Sequence, residues 1–399
     1  MKIVIQKFGG SSLQDPEIRA KAVEHIIEAK AQGFVPVVVV SAMGRANEPY
    51  STESLIKTAT TAFKQISPRE KDMIMSCGEV ISAVVMVQSL RKMNLEAVSL
   101  NAMQAGIITN ENYNHANVKK VVTDNILQVI SAGKIPIVAG FQGITENGEI
   151  TTLGRGGSDT TAGILAAALQ ADHIEIYSDV DGLLTADPKL VKNAVNIEFV
   201  NFTETVEMAN KGAKVIHPKA VEIASHYNIP IKLFSTKNNK KTTLVHNVRN
   251  SQPVTGVTSK SKIIYTKLFP DSEEQFQKEL SIFNTLAEQN ISVDFINITL
   301  DIISFIVEEE MGEKLQNILQ NKDYKFESDN RYTKISVVGS GMTGRPGVLA
   351  KIVNTLSNND IKIYECTDSY TTISCLIENK YEKIAVTVLH NKFKLGNKE

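Results

Sequence analysis

The sequence predicts an α/β protein: an open, mostly parallel sheet sandwiched by helices, followed by two ferredoxin-like βαββαβ modules. Two observations predict it. Over residues 1–245, short β-branched runs alternate with longer amphipathic stretches, the pattern of a parallel sheet covered on both faces. Beyond that point the chain repeats itself. Asn284-Thr285-Leu286 recurs as Asn354-Thr355-Leu356, and the same shift of 70 pairs Ile291 with Ile361, Val293 with Ile363, Ile303-Ser304 with Ile373-Ser374, Glu308 with Glu378 and Leu319 with Leu389. A constant shift held without a gap marks a duplicated module.

The strands of the first domain read as Ile3–Phe8, Phe34–Ser41, Ile135–Phe141, Ile174–Asp179 and Ile229–Ser235. Each is a short aliphatic run bounded by turn residues. A helix is expected over Pro16–Gln32, where Ile18, Ala22, Ile26 and Ala29 recur at helical spacing. A second begins after Ser67, the expected N-cap, with Pro68 at the first helical position and Glu70 completing a capping box, and runs toward Lys92. The polar stretches 237–241 and 247–252 predict a turn and then a linker, placed over 246–261. The modules follow over 262–330 and 331–399. In the second, Lys334–Val338, Gly347–Asn358, Ile361–Asp368, Thr371–Ile377 and Tyr381–His390 read as strand, helix, strand, strand, helix, the order of a split βαβ unit.

Composition narrows the function. Among 399 residues, 43 Lys and Arg face 44 Asp and Glu, a formal charge of −1 that argues against a nucleic-acid binder. The three cysteines, Cys77, Cys366 and Cys375, form no CxxC pair, which fits a reducing cytoplasm and excludes a cysteine zinc cluster. Met1–Gln6 is too short for a signal peptide's apolar region, and aliphatic runs such as Val35–Val40 fall short of the roughly 18 residues of a membrane span. The expectation is a cytoplasmic protein with no membrane partner.

Four loops carry candidate chemistry. Lys7-Phe8-Gly9-Gly10-Ser11-Ser12 follows the first strand, where glycine amides and a helix start can face an anion. Alone it reads equally as an ordinary strand-to-helix turn, and it is no Walker A loop. Gly154-Arg155-Gly156-Gly157-Ser158-Asp159 precedes a small-residue helix expected over Thr160–Ala171. Its guanidinium can grip a carboxylate in two places, whereas a simple helix cap would account for only one of its residues. Ser178-Asp179-Val180-Asp181-Gly182 leads to Asp187-Pro188-Lys189; carboxylates just past a strand end often bind ribose hydroxyls or metal, though alone the segment reads as an Asp-Gly turn. Gly212-Ala213-Lys214-Val215-Ile216-His217-Pro218 supplies a further lysine. Gly339-Ser340-Gly341-Met342-Thr343-Gly344 is a formal GxGxxG, but the chain beyond it is too short for a dinucleotide-binding half-domain. Cys77 reads as a buried structural thiol and His217 as structural, since no partner motif accompanies either.

These loops, with Val40-Ser41-Ala42-Met43-Gly44 and Ser76-Cys77-Gly78-Glu79, occur in one order that resembles the monofunctional bacterial aspartokinases of the amino-acid kinase superfamily. The duplication resembles their tandem ACT domains, and Ser292-Val293-Asp294-Phe295-Ile296-Asn297 their effector-site segment. Residues 41–50 and 67–70 are most similar to the Bacillus-type diaminopimelate-sensitive isozyme. Ser178 and Lys189 depart from the family's usual Thr and frequent Arg.

The resemblance implies phosphorylation of the L-aspartate side chain by ATP, the first step toward lysine or diaminopimelate, threonine and methionine. It also implies feedback by an end-product amino acid and a homodimer formed through the ACT domains. The nucleophile, with a reference pKa of about 3.9, is already ionised, so no general base is needed. The task is to bring an anion to a polyanion, by positioning and by placed cations. By resemblance, Lys7 and Lys214 hold the transferring phosphoryl group and Asp159 orients them. Ser41, Thr52, Glu79, Phe141, Arg155 and Ser158 bind aspartate, with Arg155 on the α-carboxylate and Glu79 on the ammonium. Lys7, Phe8, Gly9, Gly10, Ser178, Asp179, Lys189 and Lys214 contact ATP, and Mg²⁺ rides on its phosphates, with no dedicated protein metal site. Asp294, Asn297, Ile361 and Lys362 line the effector site. The alternatives are another amino-acid kinase, for glutamate or carbamate, and a non-catalytic ACT sensor, which would not need the intact Lys7, Asp159 and Lys214 set.

Overall fold

A computed structural model of the chain describes every residue except 46, 214, 238–241, 249–251, 323, 343–344 and 397–399. It divides into two units, Met1–Leu184 with Asn196–Asn250, and Thr185–Val195 with Ser251–Glu399.

The first unit is built on an eight-stranded sheet. Its order is Phe199–Val200, Thr242–Val245, Ile231–Ser235, His173–Ser178, Ile3–Phe8, Val35–Val40, Ile135–Ala139, Ala97–Leu100. Only the pairing of Ile231–Ser235 with Thr242–Val245 is antiparallel. The predicted strand ends Ser41, Phe141 and Asp179 fall just beyond the last paired residues, in loops at the carboxyl edge, where open α/β sheets bind ligands. Alternation divides the faces. Phe8, Val38 and Val40 pack with Ala22, Ile26, Met86 and Leu90 of the helices Pro16–Ala31 and Pro68–Arg91. Lys7 therefore points to the other face, which the helix Gly157–Ala168 covers.

The caps follow the sequence in part. Asp15 caps the helix Pro16–Ala31 by accepting from the amides of Glu17 (2.7 Å) and Ile18 (3.2 Å). Ser67 Oγ accepts from the Glu70 amide at 3.2 Å as predicted, but the Glu70 carboxylate pairs with Arg69 at 2.6 Å instead of closing the box. The helix Pro68–Arg91 is long and apolar enough by length and composition to span a membrane. Here one face is a core face, burying Asp72, Met75, Ser76 and Glu79 at successive helical turns. That spacing turns Cys77 outward, so the expected buried thiol is exposed.

A second, four-stranded sheet (Val118–Val121, Ile107–Thr109, Gln142–Thr145, Ile150–Thr152) is absent from the sequence reading, its strands being only three or four residues long. Asp72 ties it to the long helix. Its fully buried carboxylate accepts from the amides of Asn114 and Thr152, both at 2.9 Å, and from Thr152 Oγ1 at 2.7 Å. Asp72→Ala leaves these donors unpaired and is expected to cost roughly 2 kcal/mol, read as a lowered urea midpoint with unchanged m.

In the second unit each module has a four-stranded antiparallel sheet. The first runs Asp294–Ile298, Ile303–Glu308, Ile263–Leu268, Phe326–Asp329, with all four strands from one continuous stretch. The second runs Gly256–Lys260, Tyr332–Val338, Thr372–Glu378, Glu365–Asp368. Here the expected boundaries are corrected. Gly256–Lys260 lies in the predicted linker, yet it is the edge strand of the second sheet, so the first module is inserted into the second. This edge strand takes the place that Phe326–Asp329 holds in the first sheet, and among the described residues no strand follows the helix Glu382–Lys392.

The segment 185–195, assigned to the first domain by sequence, also builds this module. Ala186 and Val191 enter its core beside Val257 and Leu389, and Thr185 Oγ1 lies 2.9 Å from His390 Nε2. The GxGxxG glycines are explained by packing. A Cβ on Gly339 or Gly341 would fall 2.3 Å from the Pro253 carbonyl or 2.6 Å from that of Gln252. Thr343 and Gly344 lie outside the described residues.

The two modules meet within one chain. Tyr265, Phe295 and Ile306 of the first pack with Tyr332 and Leu376 of the second. Lys334 pairs with Asp294, and Glu365 Oε1 accepts from Tyr265 Oη (2.5 Å) and Ser304 Oγ (2.6 Å).

Candidate active site

The carboxyl edge of the main sheet brings together two of the candidate catalytic groups, Lys7 and Asp159. Lys7 is the penultimate residue of its strand, beside Val39 and Ile176. Its Nζ lies 2.6 Å from Asp159 Oδ1, and both side chains are nearly nine-tenths buried. Asp159 Oδ2 accepts from the His217 amide at 2.9 Å. This geometry depends on where the next helix starts. It begins at Gly157, three residues earlier than expected, after Gly156 in the left-handed region (φ 67°). Neither Ser158 nor Asp159 is the cap, so the Asp159 carboxylate is available to Lys7. Gly156 also lies against the His217 ring, where a Cβ would sit 2.1 Å from Cγ. Burial holds the His217 imidazole below its ordinary pKa, favouring the neutral ring.

The loop after the first strand uses its atoms differently from the expectation. The Gly9 amide is spent on the Tyr177 carbonyl at 3.1 Å. The Phe8 ring stacks on Tyr177 inside the core (centroids 4.7 Å), and its carbonyl accepts from the Ser41 amide at 3.1 Å. Both residues support the loop from behind, and the Gly9 amide, expected to face a phosphate, is already taken. The candidate phosphate amide is therefore that of Gly10.

Ser41 and Ala42 join two halves of the site. The Ser41 amide holds the end of the Lys7 strand, and the Ala42 amide donates to Glu79 Oε1 at 3.1 Å. Glu79 is 3% exposed, and its Oε2 is buried without a hydrogen-bond partner among the described residues. Desolvation pushes its pKa up to about 8, opposed by the Ala42 amide. A buried carboxylate with one oxygen unpaired is suited to receive an ammonium.

The other substrate candidates sit on adjoining loops. Thr52 opens the helix Thr52–Ala62, capped by Ser51. Phe141 has φ 70°, a strained conformation held by its amide on Thr161 Oγ1 (3.0 Å) and its carbonyl on the Leu153 amide (2.9 Å). Ser158 is buried in the first turn of Gly157–Ala168, and Arg155 is exposed on the preceding loop.

On the nucleotide side, the Ser178 carbonyl accepts from the Thr236 amide (2.9 Å) and hydroxyl (3.1 Å). Asp179 pairs with Arg45 at 2.6 Å, both exposed. Lys189 is exposed on Thr185–Val195 of the second unit, so the first unit does not assemble it with the other candidates. Lys214 lies outside the described residues.

Sequence reasoning missed Asp72, Thr161, Arg45 and the His217 amide. Only Asp72 carried a signal, standing seven residues before Glu79 on the same helix face.

The amino acid kinase family model matches residues 2–235, and an ACT domain model matches 327–391. Aspartokinase 1 of Bacillus subtilis is 41% identical over 404 residues, covering 99% of this chain and 100% of that protein. The structure of E. coli aspartokinase III in complex with aspartate and ADP (R-state) aligns with a TM-score of 0.81 at 25% identity, over 98% of this chain and 99% of that one. The same enzyme with lysine and aspartate (T-state) gives 0.76 at 24% identity over 98% and 100%, a likeness of fold.

The mostly parallel sheet and the family match over residues 2–235 make this chain a member of the amino-acid kinase family. With an ACT module following and full-length similarity above 40%, the assignment narrows further. The chain belongs to the aspartokinase family, and it is an aspartate kinase that uses ATP.

Proposed function

We propose that Lys7, seated on Asp159, neutralises the transferring phosphoryl group while Glu79 receives the ammonium of L-aspartate. The observation that supports this reading is the joint placement through Ser41 and Ala42: one amide fixes the Lys7 strand end and the next fixes Glu79. Lys214, Arg155, Ser158, Ser41, Thr52 and Phe141 keep the roles given by resemblance, and Gly10, Ser178, Asp179 and Lys189 contact the nucleotide. Asp179 reaches ATP by leaving Arg45, which costs little for an exposed pair. The carboxylate nucleophile arrives ionised, so the chain's task is in-line positioning and charge compensation. Asp159 is spent on Lys7 and the His217 amide, so Mg²⁺ rides on ATP phosphates and water. Trapping the product with hydroxylamine tests the reading: aspartate should give the hydroxamate, and glutamate or carbamate should not.

The ACT modules carry the regulatory reading. The effector binds at Asp294 and Asn297, on an edge strand bulged between these residues. Asp294 already pairs with buried Lys334, so an effector ammonium competes with an internal one. Ile361 is 2% exposed in the second module's own core and is corrected as a lining residue, whereas Lys362 is exposed, its ammonium 4.9 Å from the Tyr364 ring centroid. Exposed Ile296, Ile298 and Leu300 along the same edge favour a homodimer through these modules. Asp294→Ala should raise the half-inhibitory concentration of the effector at least tenfold, with uninhibited kcat within about twofold. Assays with diaminopimelate, lysine and threonine, singly and combined, identify the effector. The enzyme is read as cytoplasmic.

A further inference from the structure

The second module holds two thiols face to face, and neither takes part in the chemistry above. Its strands Glu365–Asp368 and Thr372–Glu378 are antiparallel, with Cys366 directly opposite Cys375. The hairpin closes on the Ser369 amide, which donates to the Thr372 carbonyl at 2.8 Å. Rungs of such a ladder alternate, so counting from that bonded pair puts Cys366 and Cys375 at a non-hydrogen-bonded rung. Cα atoms there approach to about 4.5 Å, within the roughly 4.4–6.8 Å range of disulfides. The sulfurs are 3.7 Å apart, and a bond needs them to close to about 2.05 Å.

Access is asymmetric. Cys366 is exposed on the edge strand, and Cys375 is 2% exposed in the module's core. The hydrogen bond from Cys375 holds the Cys366 thiol below its ordinary pKa, and that contact, with burial, raises Cys375. At the corresponding positions of the first module, 70 residues earlier, stand Ile296 and Phe305, so the pair belongs to one copy only.

We propose that Cys366 and Cys375 are a reversible, oxidant-responsive disulfide site. The oxidant is a hydroperoxide. The Cys366 thiolate attacks the peroxide, an S–O bond forms, the O–O bond breaks and the leaving oxygen takes a proton. The Cys375 sulfur then attacks Cys366, an S–S bond forms, the S–O bond breaks and hydroxide leaves with the Cys375 proton as water. Two thiols and one hydrogen peroxide thus give one disulfide and two waters, and a small dithiol reverses the step by exchange. Glu365 on the same strand takes Tyr265 and Ser304 of the first module, so the bond would fix the strand that makes this contact between modules.

The test treats the reduced full-length enzyme with stoichiometric hydrogen peroxide, blocks free thiols with an alkylating agent, and maps peptides without reduction. Wild type and Cys77→Ser should both lose two hydrogens, show a peptide linking 366 to 375, and recover with dithiothreitol. Cys366→Ser, at an exposed position that keeps the fold, should lose the link. The proposal is overturned if Cys366 proceeds to sulfinic acid while Cys375 stays a free thiol, if bonds between chains through Cys77 account for all oxidation, or if no thiol reacts.

Discussion

Lys7→Ala is expected to lower kcat by roughly 10²–10³, the scale for removing one preorganised electrostatic contact from a reaction centre. The size follows from the reaction and from the site. A carboxylate must approach a phosphate that carries like charge, and Lys7 is a largely buried cation at the carboxyl end of its strand. Its ammonium is held at 2.6 Å by Asp159, which is itself fixed by the His217 amide. The cation is therefore in place before substrates arrive and needs no reorganisation when charge moves. Saturating both substrates isolates kcat, and circular dichroism checks the fold, because removing the ammonium leaves Asp159 with the His217 amide but without its cation. Near-normal kcat in a folded variant would sink the role. Lys7→Arg distinguishes charge from shape: partial recovery shows that charge matters, while the longer fork no longer fits the Asp159 seat.

The sequence made the main sheet legible because its strands are buried on both faces, and burial writes continuous aliphatic runs such as Val37–Val40. The small four-stranded sheet left no such run. The duplication was legible as a shift of 70, yet it hid the swap in the second module. A repeat aligns what two copies share, and the strand Gly256–Lys260 comes from outside the copy, joined by a long-range pairing with no local signature. For the candidate site, the motifs named residues but not the atoms they use. Motif spacing grouped Lys7, Phe8 and Gly9 at one strand end, and only the hydrogen bonds show that the ammonium faces Asp159 while the Gly9 amide and the Phe8 carbonyl serve the sheet. Cys77 illustrates the same limit, since one step around a helix separates it from buried Ser76 and Gly78.

Glu79→Gln is expected to raise KM for aspartate roughly 10–150-fold, the factor corresponding to about 1.5–3 kcal/mol for a hydrogen bond to a charged group. KM for ATP should stay nearly constant. The pH dependence makes the test specific. Desolvation lifts the Glu79 carboxyl from 4.5 to about 8, and a substrate ammonium requires the carboxylate. In wild type, KM for aspartate should therefore fall as pH rises toward 8 and level off above it, with protons released on binding below that point.

Stability runs the other way. Between pH 4.5 and about 8 the folded enzyme keeps a proton that the unfolded chain gives up, so this group's contribution is full below 4.5 and lost as pH rises through about 8. Gln cannot titrate, and the variant should lose both dependences at once: a flat KM profile and a stability that no longer declines across this window. A selective rise in KM for ATP, or a variant that keeps the wild-type pH profile, would remove Glu79 from the ammonium site.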